Sequence, residues 1–262
     1  MVPPARLATA RARAHRGRGL AVGVSVTVLG CCGTYAAPGG ACSGYLVQGG
    51  GVTVWLDAGP GTLANLQRHV DFEELDAIVL SHEHPDHWTD LEGFYNVCRF
   101  VTGRRAFPVY APAGLRDLTY DEDTSPSLQW HDVADGDHVE IGDLALTFSR
   151  TDHGPETLAV RFDGRDESLG YSADSGPGWS LEALGTGLDL ALCEATFQRE
   201  QEGMAQHMSA RQAGESARRA GVGTLLLTHI WPTLDSDRSR DEGSEAFGAP
   251  VVLAETNARY EV

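Results

Sequence analysis

The stretch Ser81-His82-Glu83-His84-Pro85-Asp86-His87 carries four metal-ligand side chains, His82, His84, Asp86 and His87, within six residues. The apolar run Ala77-Ile78-Val79-Leu80 precedes it and reads as a buried strand. The motif therefore sits on the loop at the strand's C-terminal end, where α/β folds place their sites. Imidazoles and carboxylates suit Zn, Mn or Fe, and four close ligands exceed what one catalytic ion takes from the protein. Shared between two ions, His82 and His84 fall to one, and Asp86 and His87 to the other.

Working outward, three more ligand-type residues follow apolar runs. His153 comes after Leu144–Thr151, Asp174 after Leu169–Ser172, and His229 ends Val222–Thr228. Each occupies the same topological position as the main motif, the C-terminal end of a strand. A lone His after a strand is usually structural; three such positions beside a four-ligand box point instead to one shared metal centre.

The remaining pattern predicts an alternation of strands and helices. Val24–Leu29 is a first strand with a turn at Gly30–Gly33, and Ser43–Gln48 and Val52–Leu56 form a hairpin around Gly49-Gly50-Gly51. A short helix follows Asp57-Ala58-Gly59-Pro60-Gly61 and carries Leu63, Leu66 and Val70. Leu91, Phe94, Cys98 and Val101 recur at helical spacing, which places a helix behind the metal box. Pro108–Tyr110 is a short strand and Asp117–Ser127 an acidic loop. Strands are expected at Thr157–Phe162 and Leu188–Cys193, and Pro250–Ala254 closes the sheet. Ser209 and Gln212 form a capping box that opens a helix running to about Ala220.

At 262 residues the chain is long enough for one large α/β domain. Its net charge of −17 disfavours polyanions such as nucleic acid and anionic membranes. A small anionic substrate stays compatible if metal ions supply local positive charge. All 20 basic residues are Arg. The five cysteines (31, 32, 42, 98 and 193) contain no C-x-x-C pair and read as reduced thiols of a cytoplasmic protein. Residues 1–21 form an Arg-rich tail, expected to be disordered, ahead of a hydrolase domain at 22–262. The tail and Leu20–Leu29 also have the outline of a signal peptide. The strand reading of Val24–Leu29 is preferred, because cleavage would remove the first member of the meander. No run reaches the ~20 apolar residues of a membrane span.

Asp57-x-Gly59, the His82-x-His84-x-Asp86-His87 box, His153, Asp174 and Leu227-Thr228-His229 together resemble the metallo-β-lactamase superfamily. Ser81, Cys193-Glu194-Ala195-Thr196-Phe197 and His207-Met208-Ser209-Ala210 resemble its ribonuclease Z-like branch. Leu225–Pro232 looks closest to an actinobacterial subgroup resembling atypical class II cyclic-nucleotide phosphodiesterases. The resemblance implies an α/β four-layer αβ/βα sandwich, two mixed sheets flanked by helices. It implies two divalent ions, Zn or alternatively Mn or Mg, and a homodimer. His82, His84 and His153 would hold the first ion, Asp86, His87 and His229 the second, and Asp174 would bridge them. Asp57 would orient ligands. Asp86, His207 and Glu194 are the expected catalytic residues, with His207 as general acid, its pKa lowered by the following helix N-terminus, and Glu194 as its orienter. The implied activity is hydrolysis of a small cyclic nucleotide. The alternatives are ribonuclease Z-type tRNA processing and hydrolysis of lactones or thioesters. Only 20 residues separate His153 from Asp174, too few for the tRNA-gripping arm of ribonuclease Z. Thr34–Ser43 is expected to border the pocket; Tyr35, Trp88, Trp179 and Trp231 are candidates for stacking a base, with core packing favoured for each.

Overall fold

The computed structural model describes residues 23–119 and 127–262. The Arg-rich tail, and residues 120–126 of the expected acidic loop, lie outside the described residues.

Two seven-stranded sheets face each other. The first is built from β1 (Ser25–Gly30), β2 (Gly44–Gly49), β3 (Val52–Leu56), β4 (Ala77–Val79), β5 (Phe107–Ala111) and β6 (Leu128–Asp132). The second contains β7 (His138–Ile141), β8 (Leu144–Arg150), β9 (Leu158–Asp163), β10 (Ser168–Tyr171), β11 (Leu190–Glu194), β12 (Thr224–Thr228) and β13 (Val252–Leu253). The last strand, β14 (Arg259–Glu261), returns to the first sheet and pairs antiparallel with β1, Ser25 opposite Glu261 and Thr27 opposite Arg259. Both sheets are mixed. β3 to β6 run parallel, as do β10 to β13, and the other pairs are antiparallel.

Side chains alternate between the two faces of each strand, and three apolar layers result. Val54 and Leu56 of β3 face the second sheet and join Tyr45, Val47, Phe148, Val160, Phe162, Leu192 and Leu226 in the central layer. Trp55, between them, points outward and packs with Leu66, Ile78, Leu91 and Phe94. These come partly from α1 (Thr62–Leu66) and α3 (Leu91–Val97); between those helices lies α2 (Pro85–Trp88). On the far side, Leu225 and Leu227 of β12 pack against Ala213, Ala217 and Ala220 of α4 (Ala210–Ala220) and Phe247 of α5 (Ser236–Phe247). This is the metallo-β-lactamase fold, helices outside and two sheets within.

The structure departs from the sequence-based expectation in a few elements. The helix carrying Leu91, Phe94 and Cys98 is buried at those three residues, but it ends at Val97 and continues as a π-helical turn, Cys98–Thr102. Val101 is 73% exposed rather than packed. Helix α5 and strands β6, β7 and β14 have no counterpart in the sequence reading.

Candidate metal centre

Strand β4 delivers the box. Its successor Ser81 is fixed by Asp57, at the end of β3, whose carboxylate accepts the Ser81 backbone N–H at 2.7 Å and the hydroxyl at 2.8 Å. Asp57 takes a left-handed backbone, φ 53°, which Asp tolerates better than most side chains. Pro85 then starts α2, and its fixed φ suits the first helical position. That single turn carries Asp86 and His87 next to His82 and His84.

The seven candidate ligands converge in two groups. His82, His84, His153 and Asp174 form one, and Asp86, His87 and His229 the other. Asp174 stands between them. Its Oδ2 lies 3.6 Å from His82 Nε2 and 3.9 Å from His153 Nε2. Its Oδ1 lies 3.3 Å from His87 Nε2 and 3.5 Å from His229 Nε2. His82 Nε2 and His153 Nε2 each approach His84 Nδ1 to 3.1 Å, and the Nε2 atoms of His87 and His229 are 3.3 Å apart.

On His82, His87, His153 and His229 the opposite ring nitrogen has a protein partner, and this selects the free one. His87 Nδ1–H donates to Asp57 Oδ2 at 2.7 Å, and Tyr171 Oη–H donates to the same oxygen at 2.7 Å. His153 Nδ1–H donates to the Gln206 carbonyl at 2.8 Å. His229 Nδ1–H donates to Thr196 Oγ1 at 2.8 Å, and that hydroxyl donates on to Glu194 Oε2 at 2.6 Å. Partners of this kind fix the tautomer and aim the other nitrogen at a metal.

The residues fit divalent ions. Asp174 Oδ1 is buried and accepts no hydrogen bond, a bare anionic oxygen aimed at a ring of imidazole nitrogens. Without ions, burial opposes charge on His87, but Asp174 and Asp57 pull its pKa well above the ordinary imidazole range. Burial, then the neighbouring His87, pushes His82 well below it. Burial would raise Asp174, but His229 and His87 hold it well below the usual carboxylate range. Five imidazoles and two carboxylates therefore share charge that two cations would neutralise.

His207 stands beside this cluster, just before the N-cap of α4, where Ser209 and Gln212 form the expected capping box. Its Nδ1–H donates to Glu194 Oε1 at 3.0 Å and lies 4.0 Å from Asp174 Oδ2. Glu194 Oε1 also accepts the Ser175 backbone N–H at 2.6 Å. The expected lowering of the His207 pKa is not what the structure shows. Burial pushes it down, but the Glu194 carboxylate, and after it Asp174, raise it to about 9.

Among the aromatic candidates, Trp88 and Trp179 are buried core residues. Tyr35 is exposed, and Trp231 donates its indole N–H to Thr34 Oγ1 at 2.8 Å. The Thr34 loop does border the centre, since its N–H donates to Asp86 Oδ2 at 2.9 Å. Sequence reasoning missed Thr196, Tyr171 and Thr34 as supports of the ligands. The first lies inside the quoted Cys193–Phe197 segment and Thr34 opens the loop expected to border the pocket; nothing in the local pattern marks Tyr171.

Fold and site define a metallo-hydrolase. The chain belongs to the beta-lactamase superfamily: residues 52–230 match the model of the Beta-lactamase superfamily domain. It is 33% identical over 255 residues to an uncharacterized protein of Mycobacterium tuberculosis, covering 92% of this chain and 93% of that one. It is 33% identical over 247 residues to the probable metallo-hydrolase YhfI of Bacillus subtilis, covering 91% and 100%. The crystal structure of YhfI superposes with a TM-score of 0.83 at 30% identity, over 91% of this chain and 99% of that one. A ribonuclease Z of Methanopyrus kandleri is 28% identical over 234 residues, covering 76% and 83%.

Proposed function

We infer that this chain is a phosphodiesterase with two divalent ions, Zn first among the candidates, that hydrolyses a small cyclic nucleotide such as 3′,5′-cyclic AMP to the 5′-monophosphate. The observation that carries the reading is the His207–Glu194 pair beside Asp174, at 3.0 and 4.0 Å. A proton-bearing imidazole next to a two-ion cluster suits a reaction whose leaving group, a ribose 3′-oxygen, needs a proton. When bound, the ions supply positive charge at the phosphoryl group and lower the pKa of water towards 7.

Around them the chain's own residues divide the work. His82, His84 and His153 would hold one ion, Asp86, His87 and His229 the other, and Asp174 would join both. Asp57, Thr196 and the Gln206 carbonyl keep the ligand nitrogens aimed inward. Glu194 holds His207 by Nδ1, leaving Nε2 as the nitrogen that can pass a proton to the substrate.

Ribonuclease Z-type activity is the second reading, supported by the Methanopyrus relative. Against it stand the net charge of −17 and the interval from His153 to Asp174, which β9 and β10 fill. Purified protein loaded with Zn, Mn or Mg is assayed on cyclic AMP, cyclic GMP, a lactone and precursor tRNA. Turnover of a cyclic nucleotide with none of precursor tRNA at ~0.15 M salt is expected. Efficient tRNA 3′ trimming without cyclic-nucleotide turnover would reverse the two readings, and turnover of the lactone alone would replace both.

A further inference from the structure

The loop after β1 is held against the segment after β12. Cys32 pairs with Ile230 in a β-bridge, and the Gly33 N–H donates to the Ile230 carbonyl at 3.1 Å. A Cβ on Gly33 would collide with the His229 carbonyl and sit 3.0 Å from His229 Nδ1, so only glycine allows this approach. The next residue, Thr34, is forced to φ 66°, a costly conformation for a β-branched side chain.

Two bonds accompany that conformation. The Thr34 backbone N–H donates to Asp86 Oδ2 at 2.9 Å, and also lies 3.4 Å from His229 Nε2. The Thr34 hydroxyl accepts the Trp231 indole N–H at 2.8 Å. Trp231 packs edge-on against Phe197, ring centroids 5.2 Å apart. It also borders a cavity of ≈ 460 Å³ with Cys32, Pro232, Leu234 and Arg240. The hydrogen bond to Thr34 is thus the contact that ties the indole to the metal-centre loop.

We propose that Thr34 is a positioning residue for the second metal position, and that Trp231 is the latch that keeps Thr34 in its strained conformation over Asp86. The inference rests on the reading of Asp86 as a ligand of that ion. An N–H donor on a ligand carboxylate fixes its rotamer, so that the Asp86 oxygens meet the ion without searching. Loss of the indole N–H frees Thr34 to relax to negative φ, which swings its N–H away from Asp86.

The test is calorimetric titration of metal-depleted protein with Zn²⁺, alongside Asp86→Ala to identify which ion belongs to Asp86. Wild type is expected to take up two ions. Trp231→Phe keeps a ring against Phe197 but lacks the N–H, and Thr34→Val lacks only the hydroxyl. Each should weaken the Asp86 ion by about 10–100-fold and leave the other within about twofold. The double variant should be no worse than the weaker single, because both remove one bond. Thr34→Ser should restore wild-type affinity. Unchanged affinity for both ions in Trp231→Phe and Thr34→Val overturns the proposal. An equal loss at both positions, with a lower Tm of the metal-free protein, also overturns it by making the pair merely structural. A single ion in wild type would remove the two-ion reading itself.

Discussion

At His207 two effects act on one imidazole: burial disfavours its charge, and the Glu194 carboxylate 3.0 Å away favours it and wins. The folded-state pKa of about 9 lies above the ~6.5 of a free imidazole. The stability this pair contributes is therefore full below pH ~6.5 and is lost as pH rises through 9. In metal-free protein, the His207 resonances should titrate near 9 by NMR, and Glu194→Gln should bring them towards 6.5. An unmoved titration would show that Glu194 does not set the proton. His207→Ala should keep both ions and slow cyclic AMP hydrolysis by about 10²–10⁴, the range for a general acid. A nitrophenyl phosphodiester, which leaves without a proton, should lose far less; equal losses would exclude the acid role. The ligand residues were readable in the sequence because each sits where an apolar run ends. The direction of the His207 shift was not, because the Glu194 contact crosses 13 residues and joins a strand end to a loop.

Among the elements, α4 and α5 show what periodicity reveals and what it misses. α4 announces itself through its Ser209–Gln212 capping box and the buried alanines at 213, 217 and 220. α5 buries Ser239, Gly243 and Phe247 only, so its sequence presents no apolar stripe. It docks instead by close backbone approach. A Cβ on Gly214 would meet the Gly243 carbonyl oxygen at 2.5 Å, which backbone cannot yield cheaply. Gly214→Ala should therefore destabilise the fold by about 1–3 kcal/mol, the usual cost of overpacking, despite its higher helix propensity. Ser209→Ala should cost about 0.5–2 kcal/mol through loss of the cap. Urea unfolding of both variants measures this; a stabilised Gly214→Ala would mean that the helices do not touch there. Strands β6, β7 and β14 escaped sequence reading for a related reason. Each has exposed or half-buried residues, and as sheet members they are recognised by their partners rather than by their own hydrophobicity.

For the molecule as a whole, Asp174 follows β10 of the second sheet while His82 and His87 follow β4 of the first, so ions held by all three would span the seam between the sheets. Ions bound there stabilise the native state by mass action, about 2.7 kcal/mol for an ion at 100 times its Kd. Chelation should lower Tm in wild type, and Asp174→Asn should bind neither ion tightly and lose that chelator response. Elemental analysis showing one tight ion in wild type, indifferent to Asp174→Asn, would refute a shared bridging carboxylate. The two-sheet architecture was foreseeable through the resemblance to the metallo-β-lactamase superfamily that the His82–His87 box, His153, Asp174 and His229 carry. The return of β14 to the first sheet was not, since only three residues carry it. That return sets a timetable for the ribosome. Arg259 follows its partner Thr27 by 232 residues, so at 5–20 residues per second the outer edge of β1 waits about 10–50 s for its neighbour. Through that interval a nascent chain offers an open strand edge to other chains, and the edge is sealed only after all the metal ligands have been made.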